Sequence, residues 1–320
     1  MNAIGKSSVV FVTLSGLFWG GWVLGSQTPE GQEALARAYQ AYSEEQAAAN
    51  EDLFNSTALR AIVCGEASAE RRESTPCVAI AAAGRMFVID AGSGASSSLS
   101  RHGIPMEHLE AVLLTEAGLT QTADLSALYG DAARGRANAL LPVYGPADTQ
   151  RLVDGLNQAR GFDGATNGLQ AWGPGPEPGT PVIVYEADGL VVSAFTTQED
   201  AFAGRIGYRF DYRGRSIVVG GDGSVVSASA AASADLVLQN AQSEALATVD
   251  GARSTAAQAA MRAQSADAGM VVLTGAENQM AGQMQVTEAR AAGMDDVIAG
   301  RVGMVLELPL ENREVNVRSL

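Results

Sequence analysis

Metal ligation, general-base catalysis and nucleophilic attack draw on a short list of side chains. This 320-residue chain is poor in the most versatile of them. It holds two histidines, His102 and His108, with Gly103 and Pro105 between them. That spacing misses the i, i+4 arrangement that brings two imidazoles to one cation on a helix face. Both read as surface or boundary residues, and counting alone excludes a histidine-rich dinuclear site. Ser93, Ser96, Ser97 and Ser98 follow a strand-like run, but no G-x-S-x-G elbow exists and no histidine is placed to serve as base. The glycines of DAGSG and VVGGDG lack the P-loop lysine and the Rossmann spacing, so they read as strand-exit turns. Carboxylates are plentiful. Among them Glu116, Glu199, Asp200 and Asp222 would suit a hard cation if the fold brought them together, because Ca²⁺ accepts an all-oxygen shell. The plain reading of each is a solvated acid.

Composition narrows the partners. At 47% hydrophobic the chain can bury a full core, as one large domain with appendages. A net charge of −15 argues against nucleic acid, since phosphate binding wants a basic face. Residues 1–25 read as a targeting segment: Lys6, the only lysine, precedes an apolar run from Val9 to Leu24. That run is about 16 residues, short of the roughly 20 of a spanning helix. Two outcomes stand, cleavage after Gly25 or a retained anchor with Trp19 and Trp22 at the interface. Either way the bulk is expected outside the cytoplasm, periplasmic or otherwise extracytoplasmic. There Cys64 and Cys77, the only cysteines, would meet an oxidising compartment and pair as a disulfide, with two buried thiols as the alternative.

The elements that must position these residues follow from pattern. Residues 26–56 form an Ala/Glu-rich helical spacer, with Leu35, Ala36, Tyr39 and Tyr42 at helical spacing and Pro29 early. Residues 57–320 form the main domain. LRAIVCGEAS and CVAIAAAGRMFVIDAGSG give strands, the second broken by a turn at Gly84. Ser97 to Leu109 is helical in parts. A strand at Val112, a helix near Asp124 to Leu128, the strand LLPVYGP and a helix from Asp148 to Ala159 follow, the last capped around Asp148. Gly161 to Pro181, with GPGPEPGTP, reads as irregular loop. Two hairpins turn at Asp188-Gly189 and Arg213-Gly214. A helix in STAAQAAMRAQ, the strand MVVLTG, a helix from Gln279 to Ala292 and the strand MVLELPLE close the chain. Strand pairs followed by strand–helix alternation, twice over, predict an α/β fold of two mixed sheets with helices outside, an αββα sandwich.

These segments, in this order, resemble the ribonuclease Z and arylsulfatase-like branch of the metallo-β-lactamase superfamily from about Leu59 to Leu308. IVCGEAS stands where that family has a Gly-Thr-Gly-Ser strand end, and FVIDAGSG matches its Asp-x-Gly exit with Asp90 as structural acid. VLLTEAGLTQTADL matches the strand and loop of the metal motif, and LPVYGPADTQRLVDGL the strand and helix after it. IGYRFDYRGRSIVVGGD is similar to the strands leading to Ser-Gly-Asp-Thr, ADLVLQNA to a later strand, and STAAQAA and VVLTG to the closing helix and strand.

The resemblance implies a dinuclear metal site, and residue by residue the ligands are gone. The His-x-His-x-Asp-His places read Glu116, Gly118, Thr120 and Gln121. The histidine ahead of Gly-Tyr-Arg falls near Gln198, Glu199 or Asp200, and the final ligand falls at Gly275. The histidine that donates a proton falls at Arg253. Asp222 alone keeps the family's residue, the bridging aspartate. The implication is a hydrolase fold without zinc or another cofactor, without metal-activated water, and with no catalytic residues. Its expected work is binding a protein partner at a membrane, as an accessory or scaffold subunit tethered through residues 1–25 if they are retained. Two rivals stand beside it: a phosphodiester or sulfate-ester hydrolase with an oxygen-ligand site, and a small-molecule binder using the emptied cleft.

Overall fold

The computed structural model describes residues 28–34, 36–37, 41, 50–65, 67–68, 73–134, 139–197, 204–221, 226–246 and 254–320. They fall into two compact units, Met1–Asn50 and Glu51–Leu320. In the first, residues 29–34 are helical with Pro29 in the first turn, where its missing N–H costs nothing. The Thr28 hydroxyl accepts the Gly31 N–H at 3.1 Å. Ala36 is exposed, and Leu35, Tyr39 and Tyr42 of the expected stripe lie outside the described residues, as do residues 1–25. Among the described residues no helix is long and apolar enough to cross a membrane.

The second unit opens with a 3-10 turn, Glu51–Phe54, whose Leu53 and Phe54 are buried in the core. Its strands are β1 (Ala58–Val63), β2 (Ala67–Ser68), β3 (Glu73–Ser74), β4 (Val78–Ala82), β5 (Arg85–Ile89), β6 (Leu109–Leu113), β7 (Ala139–Tyr144), β8 (Asn167–Trp172) and β9 (Val182–Ala187). There follow β10 (Leu190–Thr196), β11 (Ile206–Tyr212), β12 (Arg215–Gly220), β13 (Leu236–Asn240), β14 (Met270–Thr274), β15 (Val297–Ala299), β16 (Met304–Pro309) and β17 (Asn316–Ser319). The helices are α1 (Ala95–Arg101), α2 (Leu119–Thr122), α3 (Leu125–Ala133), α4 (Thr149–Arg160), α5 (Ala256–Ser265) and α6 (Gln279–Ala291).

One sheet runs β17-β16-β1-β4-β5-β6-β7-β8 and the other β15-β14-β13-β12-β11-β10-β9. Both are mixed: β5 to β8 are parallel, as are β12 to β15, and the remaining pairs are antiparallel. Side chains alternate across each strand, and in the central strands β1, β4, β12 and β13 both faces are buried, which explains their near-continuous apolar runs. From β5, Phe87 and Ile89 enter the core between the sheets with Tyr208, Phe210, Ile217 and Leu236 of the second sheet. Met86 and Val88 face the other way, toward Leu99 of α1 and Leu125 and Leu128 of α3. The second sheet repeats the scheme, with Val218, Val237 and Val271 covered by Ala256, Ala259, Ala260 and Ala263 of α5. This is the expected αββα sandwich.

Three details correct the sequence reading. Gly161 to Pro181 is not all loop, because β8 lies within it as the edge strand parallel to β7. Asn157 of α4 supports that strand: its amide accepts the Leu169 N–H at 2.9 Å and donates to the Leu169 carbonyl at 2.8 Å. Asp148 stands at the N-cap of α4 without a side-chain capping bond. The helix near Asp124 runs on to Ala133, and the Asp124 carboxylate instead accepts the Ser96 N–H in the first turn of α1 at 3.2 Å.

Candidate functional site

The two sheets meet where β6 and β12 end. Asp90, at the exit of β5, adopts a left-handed φ of 57° and is buried. Its carboxylate accepts the Thr115 N–H at 2.8 Å and the Thr115 hydroxyl at 2.7 Å. Thr115 in turn accepts the Ile206 N–H through its carbonyl at 3.1 Å. The Tyr208 hydroxyl donates to the Leu114 carbonyl at 2.9 Å. Burial raises the Tyr208 phenol well above its ordinary range, and the nearby Asp90 carboxylate adds to the shift. Gly221 follows β12 and packs so closely that a Cβ there would lie 2.3 Å from the Thr115 hydroxyl. Gln239 of β13 donates to the Gly221 and Asn240 carbonyls, both at 2.9 Å, and to the Ser254 hydroxyl at 3.3 Å. Gly275, at the exit of β14, has φ 99° and sits against Asn240, where a Cβ would lie 2.2 Å from the amide oxygen. The strand exits named in the sequence are thus linked as one corner: Asp90, Thr115, Gly221, Gln239, Asn240, Gly275.

The positions that the resemblance sets at the family's ligand places can be followed along this corner. Glu116 is half-buried and paired with Arg205, its carboxylate 3.2 Å from the Arg205 Nε. Gly118 begins α2, and the side-chain oxygen of Gln121 lies where a substituent on Gly118 would project, 2.7 Å from a Cβ built there. Gln121 is itself buried, and its carbonyl accepts the Ala91 N–H at 2.6 Å. Thr120 is half-buried, while Leu119 beside it is 88% exposed. Glu199, Asp200, Asp222 and Arg253 lie outside the described residues. Among the described residues, no three or more of His, Cys, Asp and Glu are grouped to hold a metal ion. Taken by themselves, the described places, with one carboxylate engaged by arginine, one amide, one hydroxyl and two glycines, do not make up a dinuclear transition-metal centre, which takes imidazole and carboxylate ligands at about 2 Å.

Both histidines serve structure. The His108 ring stacks on Phe54 at 4.0 Å, and its Nδ1 lies 2.8 Å from the Gly84 carbonyl, at the start of β5 rather than its exit. His102 Nδ1 lies 2.8 Å from the Ser98 carbonyl. Cys64 and Cys77 form the expected disulfide, which closes the β1–β4 pair. Tyr208 and Tyr212 are fully buried on one face of β11, and Arg209 faces the opposite way.

Two features escaped the sequence. Arg205, the partner of Glu116, carries no motif of its own and is found only through the fold. The second is a cleft of about 850 Å³ that shares Asn240 and Gly275 with the corner and opens along α6. Its only trace in the sequence is the spacing of Gln279, Gly282, Gln283, Val286, Thr287 and Arg290 along one face of that helix.

Comparison with known proteins gives the fold its name. No family model matches the chain. It is 26% identical to ribonuclease Z of Mycolicibacterium gilvum over 166 residues, 48% of this chain and 57% of that protein. It is 30% identical to ribonuclease Z of Mycobacterium marinum over 156 residues, 46% of this chain and 56% of that protein. The chain therefore spans about half the length of the curated relatives it matches. Among solved structures, the short form of human tRNase Z superposes with a TM-score of 0.61 at 16% identity, covering 78% of this chain and 99% of that one. The metallo-β-lactamase fold protein YhfI from Bacillus subtilis gives 0.60 at 18% identity, covering 78% and 99%. The Zn²⁺-bound PqqB of Methylobacterium extorquens gives 0.54 at 15% identity, covering 77% and 99%. The fold is that of the metallo-β-lactamases.

Proposed function

We propose that this member of the metallo-β-lactamase superfamily, related to ribonuclease Z, acts by binding and has lost metal-dependent hydrolysis. The observation that carries the reading is the state of the strand exit after β6. Its one carboxylate, Glu116, is engaged by Arg205, and Gln121 and Gly118 supply no imidazole. Lowering the pKa of a bound water requires a cation held by several strong donors, and the described positions offer none that is unengaged. The further expectations rest on sequence: an exported protein, tethered through residues 1–25 where these are kept, serving as an accessory subunit to a protein partner. Metal content of the purified full chain tests the reading. Less than about a tenth of an equivalent of transition metal is expected, with no metal-stimulated cleavage of bis(p-nitrophenyl) phosphate. Metal near one or two equivalents, with turnover lost in Asp222→Ala, would overturn it.

The ribonuclease Z relatives favour a second reading, a phosphodiesterase that uses an oxygen-ligand site. Glu199, Asp200 and Asp222 would supply that site together with Glu116. It requires the Glu116–Arg205 pair to open, so Arg205→Gln should raise metal affinity if this reading holds and leave metal content unchanged if it does not.

A further inference from the structure

We infer that the cleft along α6 binds a small organic anion with an apolar body. The volume, about 850 Å³, lies within the range of pockets that enclose small ligands. One wall is the α6 face from Gln279 to Arg290, a second is the chain from Val297 through β15 to Met304, and the strand ends around Val63 and Cys77 form the third. The protein carries 36 acidic against 21 basic residues, yet among the described residues no carboxylate lines this cleft, and its charged side chains are Arg290 and Arg301. Both side chains are exposed and hold no ion pair or hydrogen bond to another described residue. Several other guanidinium groups are matched, as in Arg60 with Glu307, Arg85 with Asp188 and Arg209 with Asp211. Val286, Ile298, Val302 and Met304 line the cleft half-buried, apolar surface that an occupant would remove from water. Two unmatched cations beside an apolar trough select a ligand with a carboxylate or phosphate head and a hydrocarbon or aromatic body.

The inference rests on the reading of the chain as a binding protein but uses residues other than those that carry the loss of metal. It is tested by calorimetric titration of the full chain, in EDTA, with octanoate, octyl phosphate, octanol and octyltrimethylammonium. One or both anions should bind near a 1:1 ratio, and the better of them identifies the head group. Octanol should bind at least about tenfold more weakly, and the cation not at all. The double variant Arg290→Gln/Arg301→Gln, which changes only exposed side chains, should weaken the anions about tenfold or more and leave octanol unchanged. Ala276→Trp, which fills the cleft, should abolish binding of all. Equal affinity for octanol and the anions, anion binding indifferent to the double substitution, or no binding by any probe would each overturn the inference. None of these results bears on metal-dependent hydrolysis, which the metal content and phosphodiester assay measure separately.

Discussion

The strand-exit corner and the α6 cleft share Asn240 and Gly275 but treat their polar groups in opposite ways. In the corner, polar groups are tied to one another: Asp90 to Thr115, Glu116 to Arg205, Gln239 to Gly221 and Asn240. In the cleft, the Arg290 and Arg301 side chains have no partner among the described residues. Burying a polar group is costly unless it is hydrogen-bonded, so a polar corner of this kind is stable when its groups satisfy each other. A cation kept unmatched at the rim of an apolar trough costs little while water reaches it, and it is available to an incoming anion. The comparison separates where this molecule is closed from where it is open.

The largest test of the closed region is Asp90→Ala. It strips both the Thr115 N–H and the Thr115 hydroxyl of their acceptor at a buried position, and charge-assisted bonds of this kind are individually strong. A loss of about 4 kcal/mol in urea-unfolding stability is expected. A loss below about 1 kcal/mol would mean that the corner is not held by this knot, and the contrast with the cleft would lapse.

Next comes the disulfide, which braces the β1–β4 strand ends that form the far wall of the cleft. Cys64→Ala with Cys77→Ala should cost about 3 kcal/mol, from the chain entropy restored to the unfolded state. If the cleft depends on that brace, octyl phosphate affinity should fall in the double variant under conditions where the protein remains folded. Unchanged affinity would assign the recognition to α6 and the β15–β16 connection alone.

Alkaline pH probes the closed region through Tyr208. Its phenol is raised well above the ordinary value by burial and by the Asp90 carboxylate. Between the unfolded pKa of about 10 and the higher folded one, the unfolded chain releases a proton that the folded chain keeps. Stability is therefore fully present below pH about 10 and falls above it, by at most about 1.4 kcal/mol per pH unit from this residue. Tyr144 and Tyr185, both raised chiefly by burial, add to the slope. Tyr208→Phe should lower neutral-pH stability by about 1 kcal/mol, for the bond to the Leu114 carbonyl, and flatten the alkaline slope. An unchanged slope would place the titrating groups elsewhere.

Much of this architecture was legible in the sequence because it is written in local pattern. The hairpins at Asp188-Gly189 and Arg213-Gly214 have positive φ at both central residues, the conformation that two-residue hairpin turns demand. The β1–β4 pairing followed from two apolar runs and two cysteines. What was not legible depends on distant partners. NGLQAW carries little strand propensity, and it is a strand because β7 offers a parallel edge and Asn157 bonds Leu169 from the helix side. The Glu116–Arg205 pair joins residues 89 apart in sequence. The α6 cleft is a property of three separated segments that no periodicity reports together.

The smallest expected effect bears most directly on function. Glu116→Gln removes the charge that Arg205 faces, and because both side chains are partly solvated the cost in stability should be only about 0.5 kcal/mol. Its value is that it takes the Glu116 carboxylate away from Arg205. If a guanidinium relieved of that carboxylate at a polar surface were enough to recruit an organic anion, this variant would gain a second binding event in the octyl phosphate titration. Among the described residues, the neighbours of Arg205 are the exit of β6 and the start of β11, not the apolar walls of the α6 cleft. The stoichiometry is therefore expected to stay near one. A rise to two would show that charge alone makes the site and that the trough of Val286, Ile298, Val302 and Met304 contributes nothing to selection.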